Sequence, residues 1–94
     1  MSMVLINPSA PDRVHYVHLF GRLVRDRRRA LRLTVAQAAE LTGVTISEWI
    51  GLEAGYVPEE RAMIRTISET LEIRTGDLMM ASIMSRLAQQ QSVQ

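Results

Sequence analysis

The sequence predicts a single all-α domain of five helices. Three observations predict it: apolar residues recur at helical spacing with no strand-like alternation, three Ser/Thr-led capping boxes punctuate the chain, and two of the capped segments are joined by a short glycine turn. A chain of 94 residues buries roughly 60% of its unfolded surface, enough for one core and no second domain. With no cysteine, neither a disulfide nor a thiolate zinc site can staple the fold, so helix packing must supply the stability.

Residues 1–11 hold Pro8 and Pro11 without periodicity, and residues 1–9 are expected to be a flexible arm ahead of a domain over 10–90, with 91–94 a flexible tail. Ser9 followed by Asp12 is the first capping box and starts a helix near Ala10, where Pro11 is tolerated in the first turn. Its stripe is Val14, Val17, Phe20, Val24 and Leu31, and it ends near Leu31 or Arg32. Thr34 with Gln37 caps a short second helix bearing Val35, Ala38, Ala39 and Leu41, which Gly43 stops. Thr45 with Glu48 caps the third, which carries Trp49 and Leu52 inward and ends at Gly55.

The second and third helices, joined through Thr42–Thr45, form a helix-turn-helix over about 34–55. A fourth helix follows Pro58 with Ile64, Ile67 and Leu71 on one face, and a fifth begins at Thr75 or Gly76 with Leu78 inward. Met80, Ile83, Met84 and Leu87 continue that pattern. The 3.6-residue period favours a long core helix packed on an extended first helix, while a Met-rich docking or homodimer face is the alternative.

The net charge of +1 hides an asymmetry. From Arg13 to Arg32 seven arginines face one acid, a balance of +6, whereas from Leu33 to Met80 three arginines face eight acids, a balance of −5. Such a division maps partners. The N-terminus lacks the basic lead and long apolar run of a signal peptide, and no run approaches the roughly 18 apolar residues of a membrane span. A cytoplasmic protein is therefore expected. His15 and His18 lack a third ligand of matching spacing, and no nucleophile–base pair, glycine-rich phosphate loop or paired carboxylates stand out, so neither a metal, a cofactor nor an enzymatic activity is expected.

The run from Leu33 to Gly55 resembles the core motif of the Xre family, the phage-repressor type of helix-turn-helix. Ala39 mid-helix, Gly43-Val44 at the turn, Glu53 and Gly55 at the end of the third helix, and Pro58 beyond it fall where that pattern puts them. Phe20-Gly21 and Val24-Arg25 resemble the family's first helix, and Leu71-Glu72-Ile73 its approach to the last; the resemblance covers about sixty residues and ends near Met79. It implies five helices, commonly in a dimer, with the third helix reading a DNA major groove. It also implies a salt bridge between Arg28 and Glu53 that pins the first helix to the end of the third.

The residues of that third helix fit DNA poorly. Arginine, asparagine and glutamine make the usual bidentate base contacts, yet the corresponding positions here are Ile46, Ser47, Ile50 and Gly51, and Val35 stands where the family places a phosphate-anchoring glutamine. From Leu33 to Val57 there is no lysine or arginine against Glu40, Glu48 and Glu53. Duplex DNA carries one negative charge per roughly 1.7 Å of axis, so such a surface opposes approach. Ile46, Ser47, Glu48, Ile50 and Gly51 are accordingly the candidate partner-binding residues, with Arg25, Arg28, Arg29 and Arg32 a candidate contact for phosphate or an acidic partner. The expected function is a transcription regulator that binds and restrains a protein such as a transcriptional activator, as some antiactivators similar to this family do. The alternative is a dimeric, sequence-specific DNA-binding repressor in which Arg25–Arg32 and Ser47 contact the operator, with Ile46 and Ile50 against thymine methyls.

Overall fold

The computed structural model describes residues 16–91, which form α1 (Leu19–Ala30), α2 (Val35–Thr42), α3 (Ile46–Ala54), α4 (Arg61–Leu71) and α5 (Thr75–Gln91). The Ser9–Asp12 box, Val14, His15 and residues 92–94 lie outside the described residues. Within the described residues, the expected first helix is present as Tyr16-Val17, a turn at His18, and then α1.

Both helix-turn-helix caps form as reciprocal pairs. The Thr34 hydroxyl accepts from Gln37 N–H while the Gln37 side chain accepts from Thr34 N–H, and Thr45 and Glu48 repeat the arrangement. Each pair satisfies donors that a helix start leaves unpaired. Gly43 sits at φ 77° and Gly55 at φ 126°, and the N–H groups of Val44 and Tyr56 reach back to the carbonyls of Ala39 and Gly51. The same closure recurs after α1 and α4 with side chains in the left-handed region, Arg32 at φ 61° and Glu72 at φ 57°.

The core is Phe20 and Val24 of α1, Ala38 and Ala39 of α2, Trp49 and Leu52 of α3, Ile64, Ile67 and Leu71 of α4, Leu78 of α5, and Val57 from the α3–α4 loop. α1 packs on α5 and α3, α2 on α3 and α4, and α4 on α5. Gly21 lets α1 come close to α3: a Cβ there would lie 2.6 Å from the Glu53 carbonyl oxygen. Leu41 is exposed, and Thr42 turns inward instead, its hydroxyl donating to the carbonyls of Ala38 and Ala39.

α5 departs from the expected stripe. Met80, Ile83 and Leu87 face solvent at 57%, 47% and 53% exposure, Met84 is half-buried, and the buried face is Leu78, Ala81, Ser82, Ser85 and Ala88. The cause is close packing on the start of α1. Ser85 Oγ accepts from Phe20 N–H at 2.9 Å and donates to the Tyr16 carbonyl at 2.8 Å, a reach that a larger apolar side chain would prevent. Because His18 makes no side-chain cap for α1, Ser85 supplies from another helix a partner for one of its orphan donors.

Candidate functional site

The site is built around α3 and the loop that leaves it. Trp49 and Leu52 anchor the inner side of the helix, fully or almost fully buried. On the outer side Ile46 and Ile50 are 51% and 55% exposed, one turn apart, with Ser47 and Glu48 exposed beside them and Gly51 half-buried. The five candidate partner-binding residues thus share one short helix. Glu48 commits one carboxylate oxygen to the Thr45 cap. Val35, where the family resemblance leads one to expect a phosphate anchor, packs against the core, and Gln37, two residues on, is held by the Thr34 cap.

The orientation of α3 is fixed by a polar cluster. Arg28 Nε donates to Glu53 Oε2 at 2.5 Å and Arg28 Nη2 to Glu53 Oε1 at 3.1 Å, while Nη1 donates to the Leu33 carbonyl at 2.9 Å. The indole N–H of Trp49 donates to Glu53 Oε2 at 2.6 Å. Burial pushes the Glu53 carboxyl up, but the hydrogen bonds from Arg28 and Trp49 and the charges of Arg28 and Arg29 outweigh it and hold it below the usual carboxylate range. The hydrogen bond to Glu53 raises Arg28 against its own desolvation. Sequence reasoning placed Trp49 in the core but missed its hydrogen bond; an indole N–H four residues before a carboxylate on one helix was the available signal.

The four arginines of the candidate α1 cluster part company. Arg28 is only 9% exposed and points into the fold, so it leaves the set of surface cations. Arg25 is half-buried and lies 3.5 Å from Asp26, while Arg29 and Arg32 stand exposed near the end of α1. Arg27, outside the candidate set, donates to the Leu71 carbonyl at 2.9 Å, a cation on the negative end of α4.

A groove of about 660 Å³ opens between α3, the loop after it and the start of α4. Val44, Leu52, Pro58 and Met63 give it an apolar lining, and Glu48, Glu59 and Glu60 contribute carboxylates, all three residues exposed. No cation lines it. Among the described residues, no group of three or more His, Cys, Asp or Glu is placed to hold a metal ion, and no helix is long and apolar enough to cross a membrane.

Two capped helices around a glycine turn, the second of them clamped to α1 by the Arg28–Glu53 ion pair, define a transcription regulator of the helix-turn-helix class. The helix-turn-helix domain family matches residues 19–79, and the chain belongs to that family. This agrees with the resemblance to Xre proteins in the run from Leu33 to Gly55. Comparison with curated proteins gives no match, and comparison with solved structures gives none.

Proposed function

We propose that this regulator acts through a protein: the outer face of α3 docks on a basic surface of a DNA-binding transcriptional activator and restrains it, as an antiactivator. The observation that carries this reading is the make-up of that face. Ile46 and Ile50 stand exposed among Ser47, Glu48 and Gly51, and no lysine or arginine occurs from Leu33 to Val57. Exposed apolar side chains on a helix face mark protein interfaces, and an acidic rim complements a basic partner while repelling phosphate.

A second reading is a dimeric operator-binding repressor. Family membership favours it, because the helix-turn-helix presents its second helix to a major groove as a class, and the exposed Arg29 and Arg32 offer phosphate contacts. The two readings separate by what lies against α3 in the cell. A photoreactive amino acid placed at position 46 or 50 should form adducts with one basic DNA-binding protein, and the same label at position 69, exposed and polar on α4, should not. Adducts to nucleic acid from positions 46 and 50 would instead establish the repressor.

A further inference from the structure

We infer that the groove beside α3 is the seat of an arginine- or lysine-bearing segment of the partner, an inference that rests on the protein-docking reading and names the chemistry it recognises. Three independent features converge there. The first is charge. Glu48, Glu59 and Glu60 surround an apolar lining to which no cation among the described residues contributes, which suits a side chain that carries a positive head on a methylene stem. Glu48 gives one oxygen to the Thr45 cap and keeps the other for a ligand. Tyr56, 63% exposed, adds an aromatic face on which a guanidinium stacks.

The second feature is Gly51. Glycine inside a helix costs about 1 kcal/mol relative to alanine. Nothing at this position requires it: a Cβ on Gly51 would meet no atom within 4 Å, and its φ is not in the left-handed region. What the missing side chain provides is room, since Gly51 lines the groove.

The third is rigidity. The loop forming one side of the groove is tied down to α5, with Arg86 Nη2 donating to the Pro58 carbonyl at 2.7 Å and the Gln89 amide to the Gly55 carbonyl at 2.8 Å. A groove held open in this way spares a ligand the cost of ordering it.

The test is a titration of the full chain, labelled with nitrogen-15, with an acetylated and amidated Arg-Arg-Leu-Arg-Arg peptide, followed by amide chemical shifts; the Glu-Glu-Leu-Glu-Glu peptide serves as control. Saturable shifts centred on Val44, Gly51, Tyr56 and Met63, absent with the acidic peptide, are expected. Glu59→Gln with Glu60→Gln should weaken the basic peptide at least tenfold. Gly51→Leu, whose Cβ enters open space, should stay folded by its amide spectrum and lose binding. Shifts scattered over other acids such as Asp26 and Glu72, unsaturated binding, or undiminished binding by the Gly51→Leu chain would each overturn the inference. So would shifts at the groove on concentrating the chain alone, which would seat a second copy there. Failure of the peptide removes the groove and leaves the Ile46–Ile50 face standing, whereas nucleic-acid adducts at positions 46 and 50 remove the docking reading itself.

Discussion

Arg28 and Glu53 grip each other through two hydrogen bonds across the junction of α1 and α3, with side chains only 11% and 13% exposed. Removing one member of such a pair leaves the other charged and poorly solvated, at a cost of about 3 kcal/mol. Glu53→Ala should lower the free energy of unfolding in urea by about that amount, and it strands the Trp49 indole N–H as well. A loss below about 1 kcal/mol would mean that the clamp is not what orients α3.

The same carboxylate dictates an acid limit. Its pKa in the fold lies below that of an unfolded glutamate, about 4.3, so its stabilisation is complete above that value and disappears as pH falls through the folded pKa. Arg28 is raised further above any working pH and adds no dependence in this range. Unfolding free energies measured from pH 6 to pH 2 should therefore fall less steeply for Glu53→Gln than for the natural chain. Parallel curves would contradict the depressed pKa.

Gly21 is required by distance. With a Cβ placed 2.6 Å from a backbone oxygen that cannot swing aside, Gly21→Ala must push α1 off α3, at about 2 kcal/mol. Thermal unfolding monitored by circular dichroism should show a clear fall in Tm, whereas Gly51→Ala should raise it, since a Cβ there meets nothing.

Ser85 and Ser82 make a paired comparison on one helix. Ser85→Ala removes the hydroxyl that accepts from Phe20 N–H and donates to the Tyr16 carbonyl, and should cost about 2 kcal/mol. Among the described residues Ser82 bonds only the Met79 carbonyl of its own helix, so Ser82→Ala should cost well under 1 kcal/mol. Equal losses in chemical denaturation would show that Ser85 does not cap α1.

What the sequence disclosed was whatever chemistry is local. The reciprocal caps at Thr34–Gln37 and Thr45–Glu48 and the glycine stops at Gly43 and Gly55 are each decided within a few residues, and each stands in the structure. The exposure of Ile46 and Ile50 was legible for the same reason, since Trp49 and Leu52 fix which side of a short helix turns inward. α5 was misread because apolar periodicity measures greasiness and not the gap to be filled. Its large residues Ile83 and Leu87 lie outside while the small Ala81, Ser82, Ser85 and Ala88 turn inward, Ser85 against the start of α1. The groove was invisible for a related reason: Gly51, Tyr56, Glu59 and Glu60 acquire a shared purpose only when the loop is folded back and tied to Arg86 and Gln89.

The most direct measurement of the central claim, that α3 meets protein and not DNA, is a titration of the pure chain with random and candidate-operator duplexes over a series of salt concentrations. If α3 meets protein, neither duplex binds at micromolar concentration and no steep salt dependence appears. Micromolar or tighter binding whose affinity falls steeply with salt, as release of counterions from phosphates requires, would contradict it.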